Sequence, residues 1–446
     1  MTIIGFIILI LGIILYYFRN EYLFYLSVFF LPFSATSAID IGKKGEGSSV
    51  QLYMALISIW MALFYFPKIV HFIDGNRIRL SKTSSILFLF VISASFSLIM
   101  PLYINGKEMS NITGELGVYE PINFSNRNVT QLLYLIFGVF ISVNMEQYLN
   151  EERIYKTIKI YSLSLVFIMA WGILELFCFY AGFEYPAYIF NNSISKDAGG
   201  FNQILQIDGD TTKRIASVTL EPSILVQVLI LALPIYLSSF FSKKYIFNKT
   251  FDLLFLISLL LYIPLTTSST GILGLAFLIV IFLFQEIQTK KYILISLSFF
   301  CLIITLSYTF ILDSIYLNTF VLDKAESYSA IERISTIIDG WNLFVKYPIL
   351  GVGWGIVGSH DLIIKIASNS GIIGLSLFYL FLNSLISKLN KLKSYINNPK
   401  LSKALILSVS TLIFCNLISG FSYPLGHLWF LFGLALAFIK VNRQQA

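Results

Sequence analysis

Long apolar segments recur along the chain and are separated by short polar stretches and a few longer loops. Most of them approach the roughly 20 apolar residues that a helix needs to cross the hydrocarbon core of a bilayer. The pattern predicts about thirteen membrane-spanning helices. Their expected ranges are 2–18, 22–39, 51–70, 85–104, 129–145, 157–181, 221–241, 251–268, 270–286, 291–312, 361–387, 404–420 and 422–440. The first segment has neither a basic start nor a small-residue cleavage site, so we expect a span rather than a cleaved signal.

The composition predicts an integral membrane protein. Of the 446 residues, 57% are hydrophobic and 12% are charged, whereas a soluble domain carries about 25% charged residues. Such a chain cannot hide its apolar surface from water. We therefore predict an all-α fold, a polytopic transmembrane bundle of about 12–14 spans that forms one integral membrane domain over residues 1–446.

The charged residues indicate how the bundle is oriented. Lys and Arg crowd the cytoplasmic loops of membrane proteins, which accounts for the formal charge of +7 without a nucleic-acid partner. Three basic clusters are separated by even numbers of predicted spans and can share the cytoplasmic side. They contain Arg77, Arg79 and Lys82; Lys243, Lys244 and Lys249; and Lys388, Lys391, Lys393, Lys400 and Lys403. The long loops 105–128, 182–220 and 313–360 then lie outside, with the C-terminus inside and the N-terminus outside.

Arg214 and Glu221 precede the predicted span 221–241. Proline is favoured in the first turn of a helix, so Pro222 marks the start of this span. We predict Thr219 as the N-cap, which puts Glu221 at the positive end of the helix dipole. Arg214 and Glu221 are candidate ligand-binding residues. The alternative is a plain helix start, with a stabilising acid and a snorkelling arginine beside it.

Arg333 opens a segment, Arg333–Lys346, whose apolar residues recur close to helical spacing. They are Ile334, Ile337, Ile338, Trp341, Leu343 and Phe344, and Asp339 and Asn342 lie off that face. The pattern predicts an amphipathic helix lying at the outer membrane–water boundary, within the loop 313–360. Arg333 is then either a substrate ligand or a contact to lipid head groups.

A glycine series links that helix to the predicted span 361–387, at Gly351, Gly353, Gly355 and Gly358. Glycine adopts backbone conformations that other residues resist, and such a segment can bring backbone N–H groups to a phosphate. The alternative is a flexible connector.

His360 follows Ser359, a predicted N-cap, and is expected in the first turn of the span. The positive end of a helix disfavours the charged imidazole, and a neutral imidazole can act as a general base. Asp361 and Lys365 are close enough to orient the ring or to meet a substrate. Glu175 lies inside a predicted span, where an acid either serves a function or pairs with a neighbouring helix.

These residues together resemble the O-antigen polymerase and ligase superfamily. The resemblance is carried by Arg333, the run Pro348–Gly355, His360 and the run Gly371–Leu375, which match the family's arginine, Pro-x-x-Gly-x-Gly turn, histidine and Gly-Ile-x-Gly-Leu stretch. Leu31–Ala35 and the run from Arg214 to Pro222 also resemble it. Two positions depart from the family pattern, because Ser268-Ser269-Thr270 lacks an arginine common there and Asp361 stands where Asn is common.

The resemblance implies a membrane-embedded, metal-independent glycosyltransferase without a cofactor, in the bacterial inner membrane with its active site facing the periplasm. Its donor would be an oligosaccharide on undecaprenyl diphosphate. Arg214 and Arg333 would hold the diphosphate through bidentate hydrogen bonds, with Glu221, Asp361, Gly353 and Gly355 as further substrate contacts. His360 would deprotonate the acceptor hydroxyl. No nucleotide-binding motif is present, so the substrate itself must carry the energy for the reaction.

The acceptor decides between related activities. An O-antigen polymerase, which we favour from the Leu31–Ala35 and Arg214–Pro222 stretches, adds the glycan to another lipid-linked repeat, with membrane lipid and a chain-length regulator protein as expected partners. A ligase transfers the glycan to lipid A core. A flippase of lipid-linked oligosaccharides is an alternative of another class, but it would need charges distributed over several spans.

Overall fold

The computed structural model describes residues 1–42, 48–73, 80–111, 117–194, 201–207, 210–286, 328–392, 399–420 and 424–443. Helices dominate these residues. They are α1 Ile3–Phe18, α2 Asn20–Phe29, α3 Leu52–Ile73, α4 Lys82–Ser97, α5 Ile99–Ile104, α6 Asn126–Tyr148, α7 Glu151–Ala181, α8 Ala187–Phe190, α9 Pro222–Ser242, α10 Lys249–Leu265, α11 Ser269–Glu286, α12 Tyr328–Lys346, α13 Leu362–Leu392, α14 Pro399–Ser419 and α15 Gly426–Arg443.

Three small antiparallel hairpins complete the described secondary structure. They pair β1 Ser37–Ile41 with β2 Ser48–Gln51, β3 Met109–Ser110 with β4 Glu120–Pro121, and β5 Ile204–Ile207 with β6 Asp210–Lys213. Each hairpin lies between helices, at a bundle end.

The prediction of a polytopic helical membrane protein is confirmed. Among the described residues, six helices are long and apolar enough to cross a membrane: Lys82–Ile104, Asn126–Tyr148, Glu151–Ala181, Pro222–Ser242, Leu362–Leu392 and Lys400–Ser419. Shorter apolar helices cover Ile3–Phe18, Leu52–Phe64 and Ser269–Leu283. Every predicted span overlaps a described helix except 291–312, which lies outside the described residues.

The second predicted span, 22–39, is wrong in its second half. Helix α2 ends at Phe29, and the chain then turns and enters β1. Pro32 explains the early end, because proline has no N–H for the helical ladder and disfavours helical geometry in the residue before it. The apolar residues of 30–38 are nevertheless buried, since they pack inside the protein rather than cross the bilayer as a helix.

Helix α9 lies at the centre of the core. Its residues from Pro222 to Tyr236 are all buried, as expected of a helix that is apolar on every side. It packs against α7, α10, α11 and α14. The N-terminal end of α9 is therefore fixed by surrounding helices, and Glu221 stands at that end as its N-cap. The predicted cap, Thr219, is wrong; its hydroxyl donates to the Ala216 carbonyl instead.

Two of the long loops predicted on the outer side, 105–128 and 313–360, contact each other. Lys346 at the end of α12 pairs with Glu108 beside β3 at 2.5 Å, and the Gly358 N–H donates to Asn111 O. Elsewhere in the bundle, Lys440 Nζ contacts Gln147 and Ser238 donates to Lys400 O.

Helix α12 begins five residues earlier than predicted and is amphipathic. Its large apolar side chains recur on the outward surface at Ile331, Ile334, Ile338 and Trp341, each close to half exposed. Its other side packs against α13. An exposed apolar stripe of this kind fits a helix lying at a membrane interface.

Candidate active site

His360 lies in the loop immediately before α13 and contacts α12. Its ring Nδ1 is 3.2 Å from Thr336 Oγ1, and its backbone N–H is directed at the same oxygen at 3.4 Å. Thr336 is one helical turn after Arg333 on α12. This short spacing brings the histidine and the arginine to the same small region.

The C-terminal end of α14 closes this region. Arg333 Nη1 donates to the Ile418 carbonyl at 3.1 Å, an oxygen that the end of a helix leaves open. Gly420 follows with φ +85°, and a Cβ there would lie 3.3 Å from the His360 Cα and 3.5 Å from its Cδ2. A larger residue at 420 would therefore be strained and would crowd the imidazole.

The charge of Arg214 interacts with those of Arg333 and Glu221. Burial lowers the pKa of the Arg214 guanidinium, Glu221 opposes this shift and Arg333 adds to it. Burial likewise lowers the pKa of Arg333, and Glu221 again acts in the opposite direction. The two arginines thus lie within reach of one exposed carboxylate. The site combines two partly buried positive charges, one negative charge and an imidazole.

Arg214 has a buried donor atom, Nε, without a hydrogen-bond partner among the described residues. Its Nη1 donates to Gln203 Oε1 at 3.1 Å. Most buried polar atoms in proteins are paired. An unpaired guanidinium N–H beside a second arginine is suited to an anionic ligand with several oxygens, such as a phosphate.

A buried ion pair fixes the loop that carries Arg214. Lys213 Nζ is 2.7 Å from Glu175 Oε1, and their side chains are 5% and 1% exposed. Glu175 also accepts from the backbone N–H groups of Ala216 at 3.2 Å and Ser217 at 2.7 Å. Of the two interpretations of Glu175, the structure supports the structural one, because the carboxylate braces this loop against α7.

The segment after α2 supports the same loop from the other side. The Ala35 N–H donates to Val218 O at 3.0 Å, and the Leu220 N–H donates to Ser34 Oγ at 3.1 Å. Leu31–Ala35 and the run from Arg214 to Pro222, which are far apart in sequence, are therefore adjacent in the fold.

The expected position of His360 in a first helical turn is wrong. Helix α13 begins at Leu362, and Asp361 is the residue that caps it by accepting from the Ile364 N–H at 2.7 Å. Asp361 thus has a structural role. The imidazole is nevertheless kept neutral, because burial lowers the pKa of His360 to about 4 and the charges of Arg333 and Lys365 act in the same direction. Burial, rather than the helix dipole, is the main cause.

The glycine segment is a tightly packed turn. Gly351, Gly353 and Gly355 have φ of +67°, +111° and +84°, which other residues rarely adopt. A Cβ on Gly353 would overlap the Pro101 ring, and one on Gly355 would meet Gln131. Gly353 and Gly355 thus have a packing role in this turn.

The backbone amides of this segment bind other parts of the protein. Their acceptors are Tyr347 O for Gly351, Ser368 O for Val352, Ser97 Oγ for Trp354, Asn369 Oδ1 for Ile356 and Val357, and Asn111 O for Gly358. With these six N–H groups engaged, the segment is not an open phosphate cradle. It holds the loop that leads to His360.

Three residues at the site were missed by the sequence reasoning. Thr336, Gly420 and Asn369 each contact the imidazole or the loop that carries it. The polar run Ser368-Asn369-Ser370 inside an apolar span was a usable signal, because polar residues in membrane helices usually have a specific role. Thr336 and Gly420 gave no such signal, since their roles depend on contacts between segments that are far apart in the sequence.

Buried polar side chains continue from the site into the core. Ser419, next to Gly420, accepts from Gln227 Nε2 at 2.8 Å, and Gln227 Oε1 is 2.9 Å from His427 Nε2. His427 is thus satisfied within the core. The described part of the chain contains no group of three or more His, Cys, Asp or Glu residues that could hold a metal. Cys178 and Cys415 are buried and free; Cys301 lies outside the described residues.

The fold and site therefore define a polytopic membrane protein with a neutral histidine beside two arginines at one end of the bundle. Residues 253–379 match a family described as O-antigen ligase. The matched region runs from α10 into α13 and includes Arg333, the glycine segment and His360; Arg214 and Glu221 precede it. A comparison with curated proteins gave no match. The matched region covers less than a third of the chain, and it agrees with the resemblance to the O-antigen polymerase and ligase superfamily.

Proposed function

We propose that this protein is an O-antigen polymerase, an inverting, metal-independent glycosyltransferase that joins oligosaccharide repeat units carried on undecaprenyl diphosphate. The observation that carries the proposal is the convergence of His360 with Arg333 and Arg214 at one bundle end. A neutral base and two cations are the groups needed to activate a hydroxyl and to stabilise a departing diphosphate.

The reaction is a single displacement. His360 takes the proton of an acceptor sugar hydroxyl while that oxygen bonds to the anomeric carbon of the donor. The bond from this carbon to the diphosphate breaks, and its electron pair leaves with the lipid diphosphate. Attack from the opposite face inverts the anomeric configuration, and His360 carries the proton after the step.

Arg214 and Arg333 stabilise the charge that develops on the leaving group. A positioned donor of this kind typically contributes roughly 3 kcal/mol to the transition state, and a general base contributes about 10²–10⁴-fold in rate. Glu221, which both guanidinium groups sense, keeps the two cations oriented before the diphosphate arrives.

The surroundings of the site suit a lipid-linked donor. The exposed apolar stripe of α12 is on the same helix as Arg333, so a carrier lipid in the membrane can bring its diphosphate to the arginine. We propose that this end of the bundle faces the periplasm across the inner membrane, because the basic clusters of the sequence are predicted on the cytoplasmic side. A chain-length regulator is a proposed partner.

Reconstitution tests the proposal. Purified protein in lipid vesicles is given lipid-linked repeat units, and the products are separated by length. We expect longer glycans from the wild type and almost none from His360→Ala or Arg333→Ala. Arg153→Ala is the control, because Arg153 lies at the N-terminal end of α7, away from this site. Normal elongation by His360→Ala would exclude His360 as the base, and relocation of the lipid without elongation would indicate a flippase.

A ligase is the second candidate, because the family match carries that description. The two activities share the donor chemistry and differ in the acceptor. Deleting the gene separates them. Loss of a polymerase leaves lipopolysaccharide with a single repeat, whereas loss of a ligase leaves bare core and polymer on the carrier.

A further inference from the structure

Thr336 makes three hydrogen-bond contacts through one hydroxyl. Its Oγ1 lies 2.9 Å from the Arg333 carbonyl, 3.2 Å from His360 Nδ1 and 3.4 Å from the His360 backbone N. The side chain is 1% exposed, so water does not compete for these contacts. The hydroxyl ties the backbone of one proposed substrate-binding residue to the ring of the proposed base.

The protons available at this hydroxyl fix the direction of each bond. A threonine hydroxyl has one proton to donate and two lone pairs to accept with. The Arg333 carbonyl can only accept, so the hydroxyl proton goes to it at the shortest of the three distances. The His360 backbone N–H can only donate. With the hydroxyl proton assigned to this carbonyl, the remaining lone pair of Oγ1 accepts from Nδ1, which then carries the ring proton.

We propose that Thr336 is a positioning residue that holds His360 in the Nδ1–H tautomer and so leaves Nε2 unprotonated to act as the base. In a neutral imidazole one nitrogen carries the proton and the other accepts. The inference deepens the proposed function and rests on it for the role of Nε2. Gly420 assists by leaving space beside Cδ2, the carbon next to Nε2.

The charges around the ring favour its neutral form. Arg333 on α12 and Lys365 on α13 both act on the imidazole as positive charges, and the adjacent Asp361 carboxylate is engaged in capping α13. The packed end of α14, Ile418–Gly420, contains no titratable side chain. Thr336 therefore selects between two neutral tautomers.

Nitrogen-15 NMR of labelled histidine tests the tautomer without any substrate. The full chain has three histidines, so the His360 signals in lipid nanodiscs can be assigned with His71→Gln and His427→Gln. At neutral pH we expect a protonated Nδ1 and an unprotonated Nε2. Thr336→Val should produce the other tautomer or a mixture, and Thr336→Ser should restore the wild-type signals.

Ser335→Ala is the matched control. Ser335 is on the same helix and donates to Glu332 O at 2.9 Å in the same local pattern, but no bond links it to His360. Its removal should leave the His360 signals unchanged. If Thr336→Val does not fold, Thr336→Ala removes the same hydroxyl with less bulk. A protonated Nε2 in the wild type, or unchanged signals in folded Thr336→Val or Thr336→Ala, would overturn the proposal.

Elongation kinetics link the tautomer to the reaction. Thr336→Val should lower kcat by about 10–100-fold, part of the 10²–10⁴-fold that a general base supplies, with the donor KM nearly unchanged. Thr336→Ser should stay within about twofold of wild type, since the hydroxyl is retained. The NMR and elongation measurements test the positioning role of Thr336 and the proposed function separately. A wild type that elongates nothing refutes the proposed function and leaves the NMR result valid, whereas a Thr336→Val variant that loses activity with its tautomer intact refutes the positioning role alone.

Discussion

Replacing Lys213 by Met should destabilise the protein strongly, because it leaves the Glu175 carboxylate without its cation. The pair is 2.7 Å apart, and the Glu175 side chain is only 1% exposed. Removing one partner of a buried pair typically costs about 3–5 kcal/mol. The two backbone N–H groups of Ala216 and Ser217 still bind the carboxylate, so we expect about 3 kcal/mol, the lower end of that range.

A double variant separates the charge from the packing. In Glu175→Gln with Lys213→Met no charge is buried, and the glutamine oxygen can still accept from both backbone amides, because both donate to the same oxygen, Oε2. We expect it to recover more than half of the stability that Lys213→Met loses, since replacing both members of a buried pair is often nearly neutral. The assay is thermal unfolding in lipid nanodiscs of wild type, both single variants and the double variant.

Lys156→Met is the control. Lys156 pairs with Glu152 at 3.3 Å, but the side chains are 45% and 76% exposed, and exposed pairs contribute about 0–1 kcal/mol. Its melting temperature should stay close to that of wild type. Equal losses in Lys213→Met and in the double variant, or a Lys213→Met variant as stable as Lys156→Met, would show that the pair does not brace the loop as we argue. With the loop loosened, donor binding through Arg214 should weaken as well.

Three further predictions concern the site and its supports. Elongation should continue nearly undiminished from pH 7 to pH 5, because the base is active above its pKa and burial holds the pKa of His360 at about 4. The Lys365→Met variant lacks a charge that lowers this pKa, so its acid limb of kcat/KM should move to higher pH. Asn369→Ala removes the side-chain acceptor of the Ile356 and Val357 amides. Ile356 keeps its bond to Gly353 O, so the variant should lose about 1–3 kcal/mol for the unpaired Val357 amide in thermal unfolding, more than Asn442→Ala, which removes one bond to Phe438 O. Gly371→Ala should prevent folding, because φ is +66° and ψ −169° and a Cβ would overlap the Ile349 carbonyl. The control, Gly182→Ala, has φ +72° with open space around it and should cost only about 1–2 kcal/mol. Purification yield compares the two variants.

The helices of this protein could be predicted from the sequence because membrane helices depend on a local property. A run of apolar residues long enough to span lipid becomes a helix whatever surrounds it, since the backbone must satisfy its hydrogen bonds internally. The prediction failed at 30–38, where Pro32 ends the helix while the residues stay apolar because they are buried in protein. Hydropathy alone does not distinguish lipid from protein interior.

The site was only partly predictable. Arg333 and His360 could be singled out because polar residues are rare in an apolar chain, but their proximity follows from the packing of α12 and the end of α14 around the loop before α13. The role of Lys213 could not be read from the sequence, since it ends strand β6 and its partner, Glu175, lies on helix α7, 38 positions earlier in the chain. Tertiary contacts also explain the glycine segment, which is a packed turn rather than a flexible connector.

Which polar groups lack hydrogen-bond partners indicates where a ligand would bind. Groups that support the site are fully paired: Glu175 holds one cation and two amides, and Asn369 holds two amides. Among the buried side-chain atoms of the described residues that lack a partner, Arg214 Nε is the one that belongs to a charged group. A buried charged donor is costly to leave unpaired, and Arg333 and Glu221 both act on this guanidinium. The unpaired Nε therefore suits the anion that we propose to bind beside His360. A diphosphate has the oxygens to bind both guanidinium groups at once, which a single carboxylate does less completely.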